Sequence, residues 1–265
     1  MPFFPQLSTG AVAQFPAFRT RFTRTVLGES DGGIQAKLAD PGFERAEWVL
    51  RLPDLAEAEA SALEALFEAV EGRLRPFVFL DPLANLLAWS EVFGNSPWQK
   101  PAPLQLTAGI ADPFGTARAS RVINTSAIPM ALAQEIEGPG SYRYAFSVWA
   151  RGAGSSLTLR RSAGPVAMSE EFVAGSGWRR VALRCGAAAI AEPPVRFEIE
   201  LAPGAAVDLF AAQVEPQVQP GPYKRTGAES GVYMTANFAQ DEIAVDAEGP
   251  NRFSAVIRIA INKEV

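Results

Sequence analysis

One stretch of this chain, from Asp54 to Gly72, carries a helical period; almost everywhere else short apolar runs alternate with polar residues and stop at glycine or proline. Alternation with period two puts every second side chain on one face of a strand, and frequent turn residues keep the strands short. A chain patterned this way is built mainly from sheets. The 22 glycines and 21 prolines are spread along the chain as punctuation between those runs, which fits many turns.

Composition removes several functions. The chain has 265 residues, 48% hydrophobic and 20% charged, enough for two modest domains with a packed core. A formal net charge of −5 argues against sequence-independent nucleic-acid binding, which needs a basic surface. The lone Cys185 excludes an internal disulfide framework and a cysteine-cluster metal site. Histidine is absent, which removes Ser-His-Asp and Cys-His catalysis and most transition-metal sites. Carboxylate-pair chemistry stays open. No cofactor and no metal are expected; a structural calcium, which oxygen ligands would hold, finds no Asp-rich loop to support it. The first residues, Met1-Pro-Phe-Phe-Pro-Gln6, lack a secretory pattern, and no apolar run approaches transmembrane length. The expectation is a protein made in cytoplasm, with no membrane insertion.

Three parts follow along the chain. In the first, Phe15–Val26 and Ile34–Leu38 read as strands joined by the turn Gly28–Gly33, and Glu47–Leu52 reads as another. Asp54 with Glu57 reads as a capping box opening a helix through Leu63, Leu66, Phe67 and Val70, with Gly72 at its left-handed end. Phe77–Leu80 is a further strand. The second part offers Leu104–Thr107, Ala117–Ile123, Tyr142–Ala150, Ser156–Arg160, Trp178–Arg184, Val195–Leu201 and Val207–Val214, the pattern of a two-sheet sandwich. The third part offers Gly231–Tyr233, Glu242–Val245 and Phe253–Ile261. Too short to fold alone, it is expected to complete the first part. The expected fold is therefore mainly β: a small β-rich α+β domain with one helix, residues 1–84 plus 227–265, and an inserted β-sandwich, residues 85–226.

Several short motifs then occur in one order. Phe77-Val-Phe-Leu-Asp-Pro82 precedes Asn85-Leu-Leu-Ala-Trp-Ser-Glu91 and Trp98; Asp112-Pro-Phe-Gly-Thr-Ala117, Tyr142–Ala150, Gly177-Trp-Arg-Arg180, Phe210–Glu215 and Pro222-Tyr-Lys-Arg-Thr226 come after. This series resembles a carbohydrate-binding-like jelly-roll module of bacteriophage tail proteins, and the flanks resemble the small assembly domain of distal-tail or tail-tip proteins. The resemblance implies a structural subunit of a phage or phage-derived tail or baseplate, located in the virion tail. Its partners would be copies of itself in a three-fold or six-fold ring and neighbouring tail proteins. The alternative is a tail protein that binds a glycan on the host surface, and less in keeping with the residues is a carbohydrate-active enzyme.

Candidate site residues divide accordingly. Trp98, in a loop, and Trp149, facing away from Phe146 and Val148, are the glycan-stacking candidates; Trp89 and Trp178, among apolar neighbours, read as core. Arg19, Arg21 and Arg24, interleaved with Thr20 and Thr23, are the assembly-interface candidates, or else an ordinary solvated strand face. Asp81, Asp112, Glu135, Glu137, Glu170, Glu171 and Asp208 invite a glycosidase reading, but their spacing marks no acid–base pair. No catalytic residue is assigned.

Overall fold

The structure, a computed structural model, describes residues 1–29, 31, 33–189 and 193–263. The chain is mainly β, with a single helix among the described residues and sheets paired largely antiparallel. It divides into two units: Met1–Pro5 with Ala13–Phe79 and Tyr233–Val265, and Gln6–Val12 with Leu80–Val232.

The first unit is a sheet with the order β1 (Ala17–Glu29), β2 (Gln35–Leu55), β15 (Arg252–Lys263), β13 (Val232–Phe238), β3 (Phe77–Leu80); β14 (Val245–Gly249) pairs with β15. The alternation read in the last strand holds: Ala255, Ile257 and Ile259 are buried while Val256 and Arg258 are exposed. Those residues, with Trp48, Leu50, Phe77, Phe79 and Phe238, form an apolar face on which Trp48 and Phe79 meet edge-on at 5.2 Å. Each such fully buried large side chain contributes about 1.5–3 kcal/mol. Helix α1 (Glu57–Val70) turns Ala60, Leu63, Leu66 and Val70 inward, and Phe67 meets Phe238 edge-on at 5.2 Å.

The helix starts differently from its expected cap. Ala56 is the N-cap, and its amide donates to Glu59 Oε2 at 2.7 Å, so only half of a capping box exists. Asp54 instead sits at φ 53° and ion-pairs with Arg252 at 2.8 Å. At the other end Glu71 and Gly72 are both left-handed, at φ 54° and 64°. β1 and β2 run on as a two-stranded arm: Val26 pairs with Leu38 and Glu29 with Gln35, while among the described residues β15 pairs with β2 as far as Glu44. In the expected turn, residues 30 and 32 lie outside the described residues.

The second unit is a two-sheet sandwich of jelly-roll type. Its five-stranded sheet has the order β10 (Arg179–Cys185), β7 (Tyr144–Gly152), β12 (Ala206–Glu215), β5 (Ala119–Asn124), β4 (Leu104–Ile110). The four-stranded sheet has the order β6 (Met130–Ile136), β11 (Val195–Leu201), β8 (Ser155–Ala163), β9 (Val166–Ala174). Between them Phe197 meets Tyr144 at 5.5 Å and Phe146 at 5.4 Å, both edge-on. Two strands are absent from the sequence reading, β6 and β9. β6 lacks β-branched residues before Ile136, and β9 is an edge strand whose exposed Glu170 and Glu171 interrupt its apolar pattern. Segment Gln6–Val12 belongs to this unit because the Gln6 amide clasps Arg143, donating to its carbonyl at 2.9 Å and accepting from its N–H at 2.8 Å.

Candidate functional site

The outer face of the five-stranded sheet is where unusual side chains converge. Residues opposite one another in an antiparallel pair share a face. Register therefore builds one row across the strands: Thr107 opposite Arg121, Arg121 opposite Asp208, Asp208 opposite Arg151. Because Arg179 pairs with Ala150, Trp178 falls next to Arg151, whose guanidinium lies 4.7 Å from the indole centroid. The adjacent row holds Ile110 opposite Ala119, then Phe210 opposite Trp149 and Trp149 opposite Arg180, with Ala119 and Phe210 in one buried cluster. Trp149, Trp178, Ile110 and Tyr223 pack, partly exposed, around buried Ala119, Phe210 and Ala211.

A β-bulge makes this face possible. Between Phe210 and Gln213 the strand takes one more residue than its partner, and Ala211 sits at φ 58°. A bulge shifts the phase of the strand, so Asp208 and Phe210 before it, and Gln213 and Glu215 after it, all serve the same face.

Half of the face is covered. The segment after β12 crosses it: the Arg180 NH1 group donates to the Gly221 carbonyl at 2.7 Å, Gln213 Nε2 to the Pro222 carbonyl at 3.2 Å, and the Lys224 amide to Gln213 Oε1 at 2.7 Å. Glu215 is buried and takes Lys224 Nζ at 2.5 Å and the Gly221 amide at 2.8 Å. The segment's end is pinned by motif residues: Ser90 Oγ and the Tyr223 hydroxyl are 2.8 Å apart, and the Thr226 amide donates to Ser90 Oγ at 2.9 Å. Asn85 is wholly buried; its Nδ2 donates to the Ala212 carbonyl at 2.9 Å and its Oδ1 accepts the Val214 amide at 2.9 Å. The polar motif positions thus act as a clamp on the sandwich.

The uncovered half carries charge in layers. Asp208, its side chain 4% exposed, accepts from Arg121 Nε at 2.7 Å and from Arg151 NH2 at 2.7 Å. Burial alone would raise its pKa; the two guanidiniums outweigh that and hold the carboxyl below the ordinary aspartate value. Asp112 is similar. Burial works to raise its pKa, while the Thr116 hydroxyl and the amides of Phe114, Thr116 and Arg118 lower it further than burial raises it. That turn projects Phe114, 59% exposed, to 6.0 Å from both Trp149 and Phe210, edge-on to each. Buried Glu91 accepts from Arg118 NH1, Arg225 Nε and the Tyr223 hydroxyl, each at 3.0 Å. Among the described residues the Nε1 atoms of Trp149 and Trp178 are buried without a hydrogen-bond partner, which costs stability at this face.

Of the expected site residues, Trp149 lies on this face, turned away from Phe146 and Val148. Trp98 does not: it is 6% exposed, packs edge-on against Phe93 at 5.1 Å and donates Nε1 to the Trp89 carbonyl at 3.1 Å, so no ring face is left for a sugar. Trp178, expected in the core, is a partly exposed member of the site. Arg121 and Arg151 carried no separate signal in the sequence, since strand register brings them together, and Phe114 and Arg118 are placed by the turn around Asp112. In the other unit Arg19 and Arg21 lie opposite Trp48 and Ala46 on the edge strand. A bulge between Phe22 and Arg24 breaks their spacing, and Arg24 Nε donates to Asp40 Oδ2 at 2.6 Å. Among the described residues no group of three or more Asp, Glu, Cys or His side chains is placed to hold a metal ion.

No protein-family model matches the chain, and no curated protein is significantly similar to it. Solved structures that resemble it include the enzymatically active domain of tailspike protein 4 of bacteriophage CBA120, with TM-score 0.39, 12% identity, and coverage of 52% of this chain and 22% of that one. TmCBM61, solved with β-1,4-galactotriose, gives TM-score 0.39 and 17% identity over 49% of this chain and 97% of its own. The CBM22-1 xylan-binding domain of Paenibacillus barcinonensis Xyn10C gives TM-score 0.39 and 9% identity over 56% of this chain and 98% of its own. These three neighbours are two carbohydrate-binding modules and a phage tailspike domain, and likeness at this level decides nothing about the site.

Proposed function

We propose that this protein binds a glycan, without turning it over, through the outer face of its five-stranded sheet. The observation that carries the reading is the juxtaposition on one face of partly exposed Trp149 and Trp178, exposed Phe114, and three arginines. Flat apolar rings stack on the C–H faces of sugars, and guanidinium forks hydrogen-bond hydroxyl or acidic groups at the edge. Cleavage of a glycoside by the usual two-carboxylate route needs a carboxylic acid whose pKa is raised. Asp208 and Asp112 are instead held low by their donors, which supports binding over catalysis. The test is a glycan array followed by titration calorimetry. Saturable binding is expected, with Trp149→Ala weakening it roughly 30-fold, about 2 kcal/mol. Absence of saturable binding to any glycan would sink the reading.

A second reading, a structural subunit of a phage or phage-derived tail assembled from copies of this chain, is favoured by the β1–β2 arm. Val26, Leu27 and Leu38 on it are 44%, 67% and 61% exposed, an apolar surface of the kind that oligomerisation covers. Light scattering on the purified chain is expected to give a closed three-fold or six-fold mass, reduced to a monomer by Leu38→Glu. A wild-type monomer at high concentration would count against self-assembly.

A further inference from the structure

We infer that the glycan bound at this face is anionic, a saccharide bearing carboxylate, sulfate or phosphate groups, recognised by Arg118, Arg121 and Arg151. This rests on the glycan-binding reading and specifies its ligand.

The charge is layered by depth. Glu91, Asp112 and Asp208 have side chains 2%, 0% and 4% exposed, so the ligand does not meet them. The side chains of Arg118, Arg121, Arg151 and Arg225 above them are 36%, 50%, 28% and 63% exposed. Four cations over three buried carboxylates leave the surface positive, on a chain whose net charge is −5. Asp208 alone neutralises one of the two arginines that it orients.

The donors left over point to the same ligand. Arg121 and Arg151 each spend Nε and NH2 on Asp208, and Arg118 spends NH1 on Glu91 and Nε on Thr116. Among the described residues this leaves the NH1 groups of Arg121 and Arg151 and the NH2 group of Arg118 unspent. A guanidinium fixed by a buried carboxylate has lost little further freedom on binding and presents donors matched to a planar or tetrahedral oxyanion. A neutral sugar would be served equally well by amides and hydroxyls, and would not require three arginines to be held around one aromatic platform.

The experiment uses the full chain with matched pairs of polymers, each an anionic polysaccharide and its neutralised derivative: polygalacturonate with its carboxyl-reduced form, and sulfated and phosphorylated chains with their stripped counterparts. Binding is read by affinity electrophoresis and calorimetry at two salt concentrations. At least one anionic member is expected to bind ten-fold or more tighter than its neutral partner, and to weaken as salt rises. Arg121→Gln and Arg151→Gln should each weaken it roughly ten-fold, with Arg151→Lys recovering part of the loss and Arg196→Gln on the opposite sheet leaving it unchanged. Trp149→Ala should weaken acidic and neutral ligands alike. Equal or tighter binding of the neutral members overturns this inference while the glycan reading stands; no binding to either kind overturns both. Thermal melts of each variant separate lost binding from lost folding.

Discussion

The sandwich has two outer faces, and they are made differently. On the four-stranded sheet β11 turns Phe197, Ile199 and Leu201 inward and leaves Arg196, Glu198 and Glu200 partly exposed. Arg196 pairs with Glu135 at 3.0 Å and with Glu198 at 2.9 Å, and Thr158 lies opposite Glu171. Charges there alternate in sign and pair locally while partly exposed. On the five-stranded sheet the carboxylates are sunk, the arginines stand over them, and aromatic rings fill the gaps. The same core thus supports an ordinary solvated surface on one side and a constructed one on the other. Fold alone cannot assign function; the second layer of side chains can.

The sharpest way to break this comparison is at the tryptophans. Trp98→Ala should cost about 3–5 kcal/mol of stability in chemical denaturation, because it empties a buried site beside Phe93, whereas Trp98→Phe should keep glycan binding intact. If Trp98→Phe abolished binding with the fold preserved, the assignment of that ring to the core would be wrong in function. Next comes Asp208→Asn, which strips two arginines of their shared partner and should cost about 2 kcal/mol; Glu198→Gln on the other sheet should cost less than about 0.5 kcal/mol.

The same aspartates set an acid limit. Their folded pKa lies below the ordinary aspartate value of 3.8, so their contribution is present above about pH 4 and is lost as pH falls through the folded value. Stability measured from pH 5 down to pH 2 should fall less steeply in Asp208→Asn than in the wild type. The smallest effect belongs to Arg196→Ala, expected to move the melting temperature by no more than about 2 °C, as exposed ion pairs usually do.

What the sequence disclosed follows from its periodicities. Arg196–Leu201 announces its inward and outward sides by strict alternation, and Trp149 is aimed outward by Phe146 and Val148 on its flanks. The helix is legible from Leu63, Leu66 and Val70, although its cap is not, because Asp54 serves the Arg252 ion pair. The site is hardly legible at all. Arg121, Arg151 and Asp208 lie far apart along the chain, and they meet only through the register of β5, β12 and β7. Register depends on where a bulge falls, and Ala211 gives no local sign that it will take φ 58°. Trp98 shows the opposite failure: a tryptophan in a proline-rich loop looks available until the loop folds back on Phe93.

The segment from Pro216 to Thr226 has a consequence for the ligand's shape. By lying over Gln213 and Glu215 it closes that end of the face and leaves the row Thr107, Arg121, Asp208, Arg151 and Trp178, which runs across five strands for about 19 Å. A track along that row runs perpendicular to the strands and is walled by the segment along one side. It has room for only a few sugar units. Affinity should therefore climb with oligosaccharide length over the first few units and then level off, and a branch on the walled side should be rejected where one on the opposite side is accepted.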